Sequence, residues 1–291
     1  MAVNTATLTR GDEDRKPTGR PRRRRRTWHL HVTLAVICAV SCAPVMYAIL
    51  VSTQNNAQMI NFDLTFGESF FANFSTVWND RDLANYMVNS MVMAVIIAVG
   101  KSITGLLAGL AFVYFRFPGR WIVFFFVLIT LMMPTEISIL ALFEVTYDLG
   151  ISGSMAGLTI PFLASATAAF LFRQHFANLP ANLSEAAQLD GANPLQFLGR
   201  VLVPLSWNVL GALIVIEFLY GWNMYLWPLL TVSDRANQVV QVGLSTLQQS
   251  GEGQLYGPLM LGALIASIPP ILVFLALQRP FMNGFAMTRD K

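Results

Sequence analysis

The sequence predicts an all-α integral membrane protein with six transmembrane helices and with both termini in the cytoplasm. Three observations carry that expectation. Hydrophobic residues make up 55% of the 291 and charged residues only 12%, roughly half the charged share of an ordinary soluble domain. Apolar stretches long enough for a bilayer, about 20 residues, recur at 30–52, 86–113, 121–143, 154–174, 205–230 and 258–278. The lysines and arginines then fall almost wholly on one side of the alternation those stretches impose, the cytoplasmic side. A membrane β-barrel would instead show weak alternation over segments of about ten residues.

Taken in order, residues 1–28 form a basic cytoplasmic arm. It holds nine of the nineteen Lys and Arg, including "RRRRR" at 22–26. With Pro, Thr and Gly around it and no interleaved aromatics, it reads as a topology-setting arm rather than a nucleic-acid or lipid-binding segment. Residues 29–84 hold the first span and an outer loop. That span is too long for a signal-peptide core and lacks a small-residue cleavage site before a polar start, so it is expected to be retained. Cys38 and Cys42 are the only cysteines and sit four apart on it, a spacing for packing rather than redox or metal chemistry. Residues 85–276 carry the other five spans, and 277–291 form a cytoplasmic tail. Beyond the arm, Arg116, Arg120, Arg173, Arg200, Arg279, Arg289 and Lys291 fall inside. Arg81 and Arg235 fall outside, among the acids Asp63, Glu68, Asp80, Asp82, Glu144, Asp148, Asp234 and Glu252.

Lys101, Glu136 and Glu217 lie within spans two, three and five. A charge at mid-bilayer costs several kcal/mol, so each is expected to face protein or water. Lys101 is expected to have an acidic partner in the bundle. The three groups either form internal ion pairs or line a translocation path, with Lys101 meeting an anionic substrate. In "YGWNMYLWPLL" at 220–230, Trp222, Tyr225 and Trp227 read as interfacial anchors, and Asn223 as a path residue.

Between spans four and five lies "SEAAQLDGANPLQFLGRVLVP", residues 184–204. Ser184 is expected to cap a short helix. Gly191 is expected to turn the chain, and Asn193-Pro194 to open a second helix with Leu195, Phe197, Leu198, Val201 and Leu202 at helical spacing. By itself this is an interfacial loop of two short helices. Its spacing of Glu185-Ala186-Ala187, Gly191 and Val201-Leu202-Val203-Pro204 resembles the EAA motif of ABC importer permeases, with valines at two positions of the terminal element. That resemblance implies the type I ABC importer transmembrane fold. It also implies that coupling helices at 181–204 dock into the ATP-binding subunit. Glu185 would make the polar contact, Ala186 and Ala187 would permit close approach, and Asp190, Gly191 and Pro204 would complete the motif.

"YGWNMYLWPLL" further resembles the carbohydrate-type permeases that pair as two unlike subunits. "FRFPGR", "ASATAAFLFRQHF" and "IPPILVFLALQRPF" resemble the branch of that family importing sn-glycerol-3-phosphate. The basic arm departs from it. The resemblance implies a multi-pass protein of the prokaryotic plasma membrane. Its partners would be a second permease subunit, two ATP-binding subunits and an extracytoplasmic binding protein. A sugar or polyol importer is the alternative within the family.

No P-loop, metal cluster or nucleophile constellation is visible; His175 stands alone inside, and His29 and His31 flank the arm. The chain is therefore expected to be no enzyme and to need no cofactor. An ion-coupled secondary transporter is the rival class, but six spans are few and no inverted repeat is apparent. The outer loop 231–257 is long for a connection. Its "VVQVGLSTL" is expected to form an ordered element, and the resemblance implies that Gly251, Glu252 and Gly253 contact the binding protein.

Overall fold

The computed structural model describes residues 28–248 and 255–286, apart from the side chains of Thr135, Glu136 and residues 283–286. Every regular element among them is helical. The main helices are α1 (Trp28–Ser52), α2 (Leu83–Tyr114), α3 (Arg120–Thr130), α4 (Ile139–Asp148), α5 (Ala166–Ala177), α6 (Asn182–Leu189), α7 (Trp207–Trp222), α8 (Val240–Gln248) and α9 (Tyr256–Ala286). The described residues fall into two compact units, one ending at Met46 and the other beginning at Tyr47. In the first, Leu34, Ile37 and Val40 of α1 are well exposed, and Cys38 and Cys42 are free and exposed. The packing role expected of the two cysteines is therefore not met within the described residues. A helix this apolar all round suits lipid.

The second unit opens on the last turn of α1, where Val51 and Ser52 are buried. The loop that follows is pinned by two amides. Gln54 Nε2 donates to the carbonyls of Asp63 and Thr65 at 2.6 and 2.7 Å. Asn73 Nδ2 donates to those of Ser52 and Gln54 at 2.9 and 3.0 Å. These bonds satisfy backbone carbonyls that no helix ladder reaches.

At 32 residues, α2 is about 48 Å long at 1.5 Å per residue, and it is the axis of this unit. Both α5 and α7 pack along it, and α9 packs along α7. Close approach to α5 depends on missing side chains. A Cβ on Gly105 would lie 2.5 Å from Ala168 Cβ, and one on Gly109 would lie 2.7 Å from Phe172 Cβ. "GLLAG" at 105–109 is thus a small-xxx-small helix contact, the device bilayers favour because lipid gives no hydrophobic drive.

Several expected spans are broken. The stretch 121–143 is not one helix: α3 stops at Thr130, and a 3-10 turn at Thr135–Ser138 follows Pro134 before α4 begins. Proline cannot donate the ladder bond a continuous helix needs. The stretch 154–174 divides into Met155–Phe162 and α5, bent by 43°, with Ser165 capping α5 by accepting from Ala168 N. The stretch 205–230 divides after Trp222, with Asn223 as C-cap and a second helical piece at Leu226–Thr231. Among the described residues, three helices are long and apolar enough to cross a membrane, Trp28–Ser52, Leu83–Tyr114 and Tyr256–Met282, or up to five if each bent pair is one span. Broken backbone at membrane depth is tolerated where it is buried in protein or lines a cavity.

The two ends of α2 engage different segments. At its C-terminus, the Tyr114 ring packs edge-on to Phe197 at 5.1 Å, within a core that includes Phe172, Phe176, Leu202 and Leu213. At its N-terminus, the Asn85 and Asn89 amides donate to the Ala236 carbonyl at 2.9 and 2.8 Å, and the Ser90 hydroxyl accepts from Val240 N at 2.8 Å. Segments 194–202 and 234–240 therefore lie at opposite ends of one helix. The ordered element expected in "VVQVGLSTL" is α8, whose Val240, Val242 and Leu247 are buried.

Candidate functional site

Near the middle of α2, Lys101 Nζ lies 2.8 Å from Glu217 Oε2 of α7, and both side chains are more than nine-tenths buried. Ser165, the cap of α5, donates to the other carboxylate oxygen at 3.0 Å. The Lys101 ammonium also sits 3.7 Å from the centre of the Tyr220 ring, close enough for a cation–π contact. Three helices thus meet at one neutralised pair, and the acidic partner expected for Lys101 is Glu217.

The pair borders a cavity of about 540 Å³ that also takes in Thr130, Ser138, Ser165, Thr167 and Tyr220. A neighbouring cleft of about 610 Å³ is lined by Asn223, Tyr225, Met224 and Trp227. The two share Phe162, Ile216 and Tyr220 as a common wall. Ile216, Tyr220 and Asn223 are spaced i, i+4, i+7 and lie on one face of α7. Asn223 donates to the Leu219 carbonyl at 2.8 Å and accepts from Gln241 Nε2 at 3.4 Å. The sequence reading singled out Lys101, Glu217 and Asn223 but missed Ser165, Ile216 and Tyr220. The helical spacing back from Asn223 was the available signal.

Trp222 and Trp227 are not interfacial anchors, as their sequence position implied. Both are only 2% exposed. Trp222 stacks on Phe218 at 5.9 Å, and Trp227 Nε1 donates to the Gly157 carbonyl at 3.2 Å. Both rings face the protein interior, where the buried indole N–H of Trp227 has its partner. Glu136 lies in the 3-10 turn after Pro134, and its side chain is outside the described residues. Gly251, Glu252 and Gly253 are also outside them.

The segment 181–204 departs from expectation at its start. Ser184 does not cap α6, which begins at Asn182; its hydroxyl donates to the Ala181 carbonyl at 2.9 Å. Glu185, Ala186 and Asp190 are exposed, while Ala187 packs against the Phe172–Phe197 core. Gly191 has φ +74°, a left-handed conformation that side chains other than Gly and Asn resist, and so makes the expected turn. Asn193 then caps the next helix in a reciprocal bond with Gln196. A π turn at Leu198–Leu202 leads to exposed Pro204, and Pro194–Leu205 meets α7 at 84°. Leu189, in the short first helix, is 90% exposed and forms an apolar tip.

Residues 101–283 match the family described as "Binding-protein-dependent transport system inner membrane component". The chain belongs to this family. It is 40% identical over 271 residues to the sn-glycerol-3-phosphate transport system permease protein UgpE of Salmonella typhi, covering 90% of this chain and 96% of that protein. The same-named protein of Pectobacterium atrosepticum is 40% identical over 263 residues, with 87% and 94% covered. That of Brucella melitensis biotype 1 is 38% identical over 271 residues, with 89% and 95% covered. In fold, the chain is similar to one in the crystal structure of a bacterial ABC transporter involved in the import of the acidic polysaccharide alginate. The TM-score is 0.74 at 24% identity, with 87% of this chain and 95% of that one covered. As an inner membrane component, this permease family member resides in the membrane, and its relatives are permease proteins of transport systems.

Proposed function

We propose that this chain is one of two unlike permease subunits of an importer for sn-glycerol-3-phosphate or related glycerophosphodiesters. The observation that carries the reading is the 40% identity over 90% of the chain to a permease so named. Two ATP-binding subunits supply the energy, and an extracytoplasmic binding protein delivers the substrate. The basic residues at 10–26 keep the N-terminus inside, and six crossings return the C-terminus to the same side. Glu185, Ala186, Ala187, Asp190, Gly191 and Pro204 form the coupling segment, and exposed Leu189 enters the docking groove. Closure of the ATP-binding dimer moves this segment, and the bundle rocks to open the clefts along α7 outward. Lys101, Glu217 and Asn223 line the path with Tyr220, and Glu136 joins them from the turn after Pro134. A phosphate passing the cavity competes with Glu217 for Lys101. Gly251, Glu252 and Gly253 touch the binding protein and help to empty it.

In proteoliposomes holding the whole importer, ATP and loaded binding protein should drive uptake of labelled sn-glycerol-3-phosphate. An unlabelled glycerophosphodiester should suppress that uptake, and a neutral disaccharide should not. One observation favours a second reading, import of a sugar or polyol: Lys101 is already neutralised by Glu217, so the pair offers no net charge to an anion. Uptake of a neutral sugar with no response to glycerol phosphates would establish that reading instead.

A further inference from the structure

Three guanidinium groups gather where α2 gives way to α3. Arg116 and Arg120 line a cavity of about 290 Å³ with Phe117, Trp121 and Ile122. The guanidinium carbons of Arg120 and of Arg173, on α5, lie 5.4 and 4.9 Å from the centre of the Trp121 indole. Arg173 also stands 4.3 Å from the Phe124 ring, and Arg120 donates to the Phe115 carbonyl at 3.3 Å. These contacts orient Arg120 and Arg173 without cancelling their charge, and Arg116 is exposed on the rim of the same cavity. Among the described residues the one ion pair is Lys101–Glu217, so no described carboxylate lies at ion-pair distance from any of the three.

Apolar helices on either side, α2 ending at Tyr114 and α3 beginning at Arg120, put this corner at the edge of the hydrocarbon. That is the level at which tryptophan rings settle and lipid phosphates lie. The rim is apolar as well as basic: Trp121 is 61% exposed and Ile122 77%. A dissolved anion gains nothing from such a rim, whereas a phosphate with acyl chains beside it does.

We propose that Arg116, Arg120 and Arg173, arranged around Trp121, hold the phosphate of an anionic glycerophospholipid. Guanidinium forks match phosphate oxygens two at a time, and basic pockets beside membrane helices take acidic head groups. A zwitterionic lipid brings its own cation into the cluster and is disfavoured. Free phosphate shares the anionic chemistry but not the chains.

The test uses the intact importer in nanodiscs of phosphatidylcholine with a minority of phosphatidylglycerol, and native mass spectrometry counts the retained lipids. The wild type keeps phosphatidylglycerol in preference. Arg116→Gln with Arg120→Gln lowers that preference by about thirtyfold, as expected for losing two interfacial cations. Arg116→Lys with Arg120→Lys, which preserves charge but not the guanidinium fork, gives a preference between those of the wild type and the glutamine variant. Millimolar inorganic phosphate leaves it unchanged. Equal retention by the wild type and the glutamine variant overturns the proposal, and displacement by inorganic phosphate overturns it in favour of a free-anion site. Should the glutamine variant not assemble, photoactivatable phosphatidylglycerol applied to the wild type decides the matter. Labelling of the peptide containing Trp121 supports the site, and labelling elsewhere only removes it.

Discussion

Lys101 and Glu217 stand 116 residues apart in the chain and 2.8 Å apart in space. They join the longest helix to α7 at a point where the other carboxylate oxygen is already bound by Ser165. Removing one charge from such a pair leaves the other buried and alone. Lys101→Met should therefore destabilise the protein by about 3–5 kcal/mol, and Lys101→Met with Glu217→Gln should recover most of that loss. Thermal unfolding of the four proteins in detergent gives the double-mutant cycle. Additive losses would show that the two groups are not coupled.

Gly105→Val and Gly109→Val should each separate α2 from α5, because the nearest atoms are carbons of Ala168 and Phe172 rather than the ends of flexible side chains. A cost of about 1–3 kcal/mol is expected at each site. Gly199, where an added Cβ meets nothing within 4 Å and no positive φ is recorded, is the control and should tolerate alanine with little change in melting temperature. Equal effects at 105 and 199 would refute the close-packing account.

Glu185→Lys and Gly191→Pro should leave the protein in the membrane yet abolish ATP-driven uptake. The expectation rests on the exposure of Glu185 and on the φ of +74° at Gly191, which proline cannot adopt. Normal uptake by both variants in the reconstituted importer would remove segment 181–204 from coupling.

Trp227→Phe keeps most of the buried ring but strips the donor from the Gly157 carbonyl, which Trp227 Nε1 reaches at 3.2 Å. A loss of about 1–3 kcal/mol follows if that carbonyl is left without a partner. An unshifted unfolding midpoint would mean that water replaces the indole there.

Shortening the loop at 250–254 should leave assembly and basal ATPase activity intact while reducing stimulation by loaded binding protein. The neighbouring α8 is anchored by Val240, Val242 and Leu247, so the change should not propagate into the core. Unchanged stimulation and uptake would show the loop to be a plain connector.

The helical class, the long α2 and α9, the turn at Gly191 and the cap at Asn193 were legible because each depends on local composition or on one backbone conformation. The partner of Lys101 was narrowed to Glu136 or Glu217 because a lone ammonium is too costly in an apolar bundle. The breaks in the third, fourth and fifth apolar stretches were less visible. Hydropathy averages over about 20 residues and does not register where a ladder stops, although Pro134 marked one such place. Trp222 and Trp227 were misplaced for a related reason. Their rank along the sequence set their depth in the membrane, but the stacking of Trp222 on Phe218 and the bond from Trp227 to the Gly157 carbonyl show that both point into the protein. Ser165 could not be found from spacing, since it reaches Glu217 only through the packing of α5 on α2.

The unbroken ladder of α2 has a bearing on timing. Its neighbours are jointed at 163–165, at Ser206 and after Trp222, whereas α2 runs from Leu83 to Tyr114 without an interruption. Tilting a stiff rod moves both of its tips in the same instant and in opposite senses. A sideways push on the Phe197 contact at one tip is therefore felt at the Asn89 contact with Ala236 at the other, with no relay between them. The jointed helices are where delay can enter; α2 has no such joint between those two contacts.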